Sequence, residues 1–412
     1  STQLTGWFTP GLDWGLRLQG FGLSWSDAEI EPLDLVYSQR LGSHWRDFDV
    51  SVNHIDLSIL TDLVRKTRIS TEQILTVMDA LRPQGSLSEL TLGHNEAGYY
   101  TSANLDSVDM RPYKGAPGVK GLSGYLEVQQ NAGLFHLADT NGFDVFFPKV
   151  YRDYLHIEEA LGTVYVDWAA ASERLLVRSD PIMTKVEAGT LQIVFSTEQS
   201  LPSNGQPPEF SMLIGGKNID ATYTEQYLSY NTPADLSTWL TEAILAGNVR
   251  EMGMLFRSGP PRNDRNSRTT QLLFDIENSD LNYHPDWLGL RNSESLALID
   301  DGYLESTVTK GTVGQANIVN AKVTYDADLD EAQRFMMVEA EVAAELPAMI
   351  SLLAQSPLKS NLGALRGWDF GGQTSSQMQL KIPMAGRAGK KLGLEQQGDY
   401  WVRTQLNNAL ID

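Results

Sequence analysis

Apolar and polar residues alternate with a period of two through most of the chain. Leu12, Trp14, Leu16 and Leu18 alternate with Asp13, Gly15, Arg17 and Gln19. The pattern returns at Val164, Val166 and Trp168, at Leu191, Ile193 and Phe195, at Phe210, Met212 and Ile214, and at Leu272, Phe274 and Ile276. Further runs are Val319, Ala321, Val323 and Tyr325, then Met336, Val338, Ala340 and Val342, then Met378, Leu380 and Ile382. A strand points successive side chains to opposite faces, so each run predicts one oily and one wet side. That asymmetry belongs to antiparallel sheets. The reading is a mainly β protein built on a long, twisted antiparallel sheet. The residues placed on its apolar face are Leu16, Leu18, Val164, Val166, Ile193, Phe195, Met212, Ile214, Leu272, Phe274, Val319, Val323, Met336, Val338, Met378 and Leu380.

Four stretches switch to helical spacing. They are 55–68 (Ile55, Ile59, Leu60, Leu63), 70–81 (Ile74, Leu75, Met78, Leu81), 235–246 (Leu236, Leu240, Ile244, Leu245) and 345–354 (Leu346, Met349, Ile350, Leu353). Each stripe predicts a short helix packed on one side. Ser70-Thr-Glu-Gln73 resembles a capping box at the start of the second. A loose repeat follows, in which a leucine-rich segment ends near a glycine and leads into a strand. Its instances end at Gly85, Gly162 and Gly247. Pro and Gly mark loops at Asn204-Gly-Gln-Pro-Pro208 and from Ser258 to about Thr270. No linker splits the chain. It reads as one elongated repeating unit with approximate sub-units 1–93, 94–168, 169–256 and 257–412.

Composition narrows the function. Asp and Glu outnumber Lys and Arg by 52 to 32, a formal charge of −20. Phosphate backbones need clustered Lys and Arg, so nucleic acid is excluded as a partner, and loose adhesion to anionic lipid surfaces is disfavoured. The absence of cysteine removes disulfides, thiolate nucleophiles and Cys-based metal sites. No run of 18 apolar residues is present to span a bilayer. The chain starts at Ser1 without a signal-peptide pattern and stops just after a strand-like segment, so it reads as an internal section of a longer protein.

Catalytic patterns are missing. None of the six histidines pairs with another at metal spacing, and there is no nucleophile elbow or phosphate-binding loop. His94-Asn-Glu96 and His156-Ile-Glu158 read as solvated surface pairs. Asp326-Ala-Asp-Leu-Asp-Glu331 is the densest carboxylate cluster. Its place between two strands makes it a polar hairpin turn, and it lacks the glycine and distal Glu of a calcium loop. Arg257, Arg262, Arg265 and Arg268 read as a solvated basic loop, with contact to a lipid phosphate as the alternative. The nine tryptophans are scattered and read as packing residues. The expectation is a non-enzyme without metal or cofactor.

Several short motifs resemble a family. Tyr227-Leu228 leads to Trp239-Leu240 and then Gly247-Asn-Val249, and Tyr283-His-Pro-Asp-Trp287 closes a later strand. Ser356-Pro357-Leu358 follows the last helix, and Ile382-Pro383-Met384 ends a strand. Upstream, Pro117-Gly-Val-Lys-Gly-Leu-Ser-Gly124 and Phe146-Phe-Pro148 fit the same scheme. Together they resemble the YhdP family of AsmA-like bacterial envelope proteins, which are bridge-like lipid transfer proteins of TamB-like architecture. Ser229 stands where the family usually has Pro. The resemblance implies a sheet curved into an open hydrophobic groove. It also implies a periplasmic section of an inner-membrane-anchored protein of a Gram-negative bacterium, moving phospholipid toward the outer membrane. Its partner would be phospholipid acyl chains, with membrane contact only through parts of the longer protein.

Physical scale is compatible with that reading. Two acyl chains hold about 30 CH₂ groups, and exposing them to water costs roughly 25 kcal/mol. About sixteen strands at about 4.8 Å spacing would offer a groove roughly 75 Å long. The alternatives are a structural or scaffold β protein of the envelope, whose oily faces pack on each other in a closed core, and a carbohydrate-active enzyme using Asp326 to Glu331.

Overall fold

A computed structural model describes residues 2–25, 28–40, 47–67, 72–168, 173–201, 205–232, 234–260, 267–330, 334–359, 362, 368–383 and 399–411. The chain is mainly β, with 23 strands in one long antiparallel sheet and a few short helices. It falls into two compact units, 1–187 with 192–210, and 188–191 with 211–412.

The first unit begins with β1 (Gln3–Thr9), β2 (Asp13–Trp25), β3 (Ala28–Arg40) and β4 (Phe48–Asp56). Helices α1 (Leu57–Thr67) and α2 (Glu72–Leu81) follow. They match the first two predicted helices except that Ile55 pairs with Leu87 and belongs to β4, while Ser70 and Thr71 of the capping box lie outside the described residues. Then come β5 (Gln84–Asn95), β6 (Gly98–Met110), β7 (Gly118–Gln129), β8 (Ala132–Asp139), β9 (Phe143–Phe146), β10 (Leu155–Ile157), β11 (Glu159–Asp167), β12 (Arg174–Ser179), β13 (Ile182–Val186) and β14 (Gly189–Ser200). Strands β1 to β7 form a meander in which each pairs with the next. Further on, two positions in the sheet are filled by broken strands. β8 and β9 share β7 as neighbour, and β12 and β13 share β11. Pro181 stands in the second break, where a ladder would need the N–H it lacks.

The second unit carries β15 (Glu209–Asp220), α3 (Thr224–Tyr227), α4 (Ala234–Ala243), β16 (Ile244–Ser258), β17 (Arg268–Leu281), β18 (Leu290–Asp300), β19 (Tyr303–Val313), β20 (Ala316–Asp326), β21 (Phe335–Glu345), α5 (Leu346–Ala354), β22 (Phe370–Pro383) and β23 (Asp399–Ile411). From β16 to β23 every strand pairs with its successor in the chain. The third predicted helix is shorter than its pattern. Ile244 pairs with Leu281 and opens β16, so Ile244 and Leu245 belong to the sheet. The strand count exceeds the expected sixteen partly because broken strands count twice and β9, β10 and β13 are short.

Bulges interrupt the strands at regular places. Glu89, Ser107, Asn278 and Asn292 sit inside strands with φ near +50°, as do Gly20 and Gly121 with φ of 61° and 74°. Gly85 (φ 100°) makes the bulge that opens β5, and a Cβ there would collide with the Ser107 carbonyl. A bulge takes an N–H out of the ladder, and such a donor needs another acceptor. Neighbouring strands supply one. Asp34 accepts from the Gly20 amide at 2.9 Å, Asp109 from Gly121 at 2.8 Å, and Asp280 from Asn292 at 2.9 Å. Asp139, 1% exposed, accepts from the amides of Ser123 (2.8 Å), Asn141 (2.9 Å) and Gly142 (3.1 Å). Each bulge bends and twists its strand. The short polar residues inside oily strands thus shape the sheet.

Candidate binding face

In antiparallel pairing, opposed residues lie on one face, so the registers assemble the faces directly. In the second unit one row runs Met254, Leu272, Ile299, Leu304 and Tyr325 across β16 to β20. The next row, toward the other end of the strands, runs Met252, Phe274, Ala297, Ser306, Val323, Val338 and Leu380. A third runs Ile276, Ser295, Val308, Ala321, Ala340 and Met378. The opposite face holds cross-strand ion pairs, including Arg250–Asp275 at 2.6 Å and Lys322–Glu305 at 3.0 Å. The alternation therefore sorts into one continuous apolar face.

The first unit repeats the design. Leu4, Leu18, Leu35, Val52 and Leu90 form one row. Leu16, Tyr37, Val50 and Leu92 form the next. On the far side of this unit, Leu126, Phe135 and Val164 are opposed, as are Val166 and Val177.

Both faces are partly covered. α1 joins β4 to β5, and its Leu57, Ile59 and Leu60 pack on the buried cluster of Val52, Ile55, Leu87, Leu90, Ala103, Leu105 and Val108. α5 joins β21 to β22, and its Met349 and Leu352 close over Val308, Ala321, Val342 and Met378. Proline at the start of α5 suits a helical first turn, where an N–H would go unbonded anyway. The β17–β18 connection adds Trp287, 7% exposed, which packs with Leu380 and Ile382 and lies 5.9 Å from the Tyr400 ring. α4 is tied to that connection by a hydrogen bond from Trp239 Nε1 to the Tyr283 carbonyl (3.0 Å). Burial pushes the Tyr283 phenol up to about 12.

Across β16 to β20 the opposite ends of the strands carry no such cover among the described residues, whereas on β22 the cover reaches Ile382, which pairs with Met336 at that end. In the first unit Phe8, Leu16 and Leu92 are exposed, at 65%, 42% and 40%. In the second unit Met254, Leu272, Ile299 and Leu304 are only half-buried and belong to none of the closed clusters.

The candidates named from sequence divide accordingly. Leu16, Leu272, Phe274 and Val323 lie on the uncovered stretches, and Leu18 stands in the row that leads to the buried Val52 and Leu90. Val164 and Phe195 pack against a third cluster around Phe143 and Ile182, and Val166 and Ile193 share their side of the sheet. Met212 and Ile214 lie on the same side of β15 as Gly216, where a side chain would run into Met252. Met378 and Leu380 are buried under α5 and Trp287, with Met336 and Val338 packed beside them. Val319 leaves the row. The register shifts between Ile318 and Asn320, so Ile318 joins the face and Val319 is 49% exposed in the bulge. The covering residues Trp287, Met349 and Leu352 went unnamed as site residues. Their signal was the helical stripe and the Tyr-x-Pro-x-Trp segment.

No catalytic constellation assembles among the described residues. The Asp326 carboxylate accepts from the Asp328 amide at 2.9 Å in a turn, as a hairpin reading requires, and Glu331 lies outside the described residues. His94 meets Asp47 at 3.2 Å, and His156 meets Asp144 at 2.8 Å on the surface. No group of three His, Cys, Asp or Glu is placed to hold a metal, and no helix is long and apolar enough to cross a membrane, among the described residues. Arg262 and Arg265 of the basic loop lie outside the described residues.

These features define a class: an antiparallel β protein in which each unit carries an apolar sheet face, sealed in part by inserted helices and uncovered in part. A family model described as YhdP protein matches residues 4–409, and the chain belongs to that family. No curated protein and no solved structure matches the chain.

Proposed function

We propose that this chain takes part in intermembrane phospholipid transport, sheltering acyl chains on the apolar face of its sheet. The observation that supports the reading is the uncovered stretch across β16 to β20, where Met254, Leu272, Ile299, Leu304 and Tyr325 line up on successive strands. Five strands at about 4.8 Å give that stretch a width of roughly 19 Å. Covering the methylenes of one lipid there recovers much of the roughly 25 kcal/mol that water would exact. Membership of the YhdP family agrees with this use. In this reading the protein binds and passes on its ligand unaltered, without a cofactor. It works as a periplasmic section of a longer, inner-membrane-anchored protein.

Photo-crosslinkers placed at Met212, Val323 and Ile193 are expected to capture phospholipid in the bacterial envelope. A crosslinker at Ile382, 1% exposed beneath Trp287, is expected to capture none. Purified protein free of phospholipid by native mass spectrometry, together with failed capture at all positions, sinks the proposal. A second reading is a scaffold protein of the envelope, favoured by the covering of α1, α5 and Trp287. It expects protein side chains as the sole occupants of the face.

A further inference from the structure

The uncovered stretches differ in polarity from one end of the strands to the other. We infer that a bound phospholipid lies along the strands with its acyl termini toward the helix-bearing edge and its phosphate end at the hairpin edge. The inference rests on the transport reading and specifies how the ligand sits.

The helix-bearing edge meets an incoming chain end mostly with hydrocarbon, Ser295 being the polar member of its row. In the second unit this is the closed cluster of Val308, Ala321, Val342 and Met378 under Met349 and Leu352. The hairpin edge is amphipathic. There, the last positions of the apolar face in the first unit are Phe8 opposite Trp14, and His94 opposite Tyr99. The Trp14 ring lies 5.4 Å from Tyr37, and His94 lies 4.6 Å from Tyr99. Trp, Tyr and His present an apolar body with a polar tip, the composition that settles where oil meets water. In the second unit the corresponding positions are Phe256 and Arg268. Arg268 pairs with Ser258, two residues from Phe256 and on the same face, and its guanidinium lies 5.3 Å from the Phe256 ring centre. A cation at the water-facing end of an otherwise apolar strip matches a lipid phosphate and nothing in an acyl tail.

Length agrees. From the covered Val308 to Leu304 is four residues, and at about 3.3 Å each the uncovered strip is ~13 Å long. One leaflet of a bilayer's hydrocarbon is about 15 Å thick. A lipid lying in this direction therefore fills the strip with its tails and reaches the Arg268 edge with its phosphate. Turned end for end, it would drive the phosphate into the α5 cluster, where an unpaired charge is costly.

The natural absence of cysteine makes the test direct. Thr270→Cys marks the hairpin end of the face and Ser295→Cys the helix end, and both changes are nearly isosteric. Each variant carries a bimane fluorophore and is loaded with phosphatidylglycerol bearing a nitroxide either near the ester or near the terminal methyl. The expected result is that the ester-proximal nitroxide quenches the label at 270 more than at 295, and the methyl-end nitroxide does the reverse. Ile276→Cys, opposite Ser295, repeats the helix-end measurement independently. Reversed or equal quenching at the two ends, with lipid bound, overturns the orientation and leaves the transport reading standing. No quenching by either probe in folded protein overturns both.

Discussion

Two stretches of one apolar face, built from the same residue types, meet different fates in this molecule. Around Val308, Val342 and Met378 the face is sealed by α5 and Trp287, and burial reaches that of a protein core. Four residues from Val308 on β19, Leu304 carries no helix above it, and neither do Met254 and Leu272 on β16 and β17. The first unit shows the same split between Leu87 beneath α1 and Leu92 beyond it. Alternation thus specifies that a face is oily, while the inserted helices decide whether it is core or surface. Core-like burial resides under the inserted segments, and the uncovered rows remain apolar surface.

The sharpest way to break that comparison is to truncate the covering side. Met349→Ala, at a residue 2% exposed, is expected to cost about 3 kcal/mol, read as a lower urea midpoint, because the cavity has no easy way to collapse. A loss under 1 kcal/mol would show that α5 is no seal. Next comes the linked pair in the first unit. Leu87→Ala, 8% exposed, is expected to cost about 2–3 kcal/mol and Leu92→Ala, 40% exposed, less than half as much. Equal losses would erase the distinction between covered and uncovered rows.

Alkaline pH probes the seal through Tyr283. Burial holds its pKa at about 12, above the ordinary 10 of the unfolded chain, so the folded state favours the neutral phenol. The associated stability is fully present below pH 10 and is lost as pH rises from 10 to 12, by roughly 2–3 kcal/mol. Tyr283→Phe is expected to flatten that part of the stability–pH curve, and an unchanged slope would place the phenol in water. The smallest effect is expected on the uncovered strip. Leu272→Ala should lower stability, read from the urea midpoint, by less than about 1 kcal/mol, because the side chain is half-buried to begin with. Its consequence should appear instead in the amount of co-purified phospholipid.

The sheet and its sidedness were legible from residues such as Leu272 and Phe274, because period two is a local property. Register was not. At Val319 the alternation continues unbroken in sequence, yet a bulge transfers the inward place to Ile318. Nothing in a single strand announces its bulge, since the stabilising acceptor, as with Asp280 for Asn292, sits on the neighbouring strand. The cover was half legible: the stripe of 345–354 predicted a helix packed on one side, but not which rows it would close. The Ile244–Leu245 end of α4 was misread because both residues suit either period, and pairing with β17 decided the matter.

The order of strand pairing has a kinetic consequence. From β16 to β23 each strand needs only the one before it, so this part can be laid down progressively, each strand templating the next. Between β7 and β14 the broken strands interleave: β11 must find β8, β12 and β13 together. That region has to wait for several segments of chain before it can close. For a polypeptide emerging end first, it is the natural place for folding to pause.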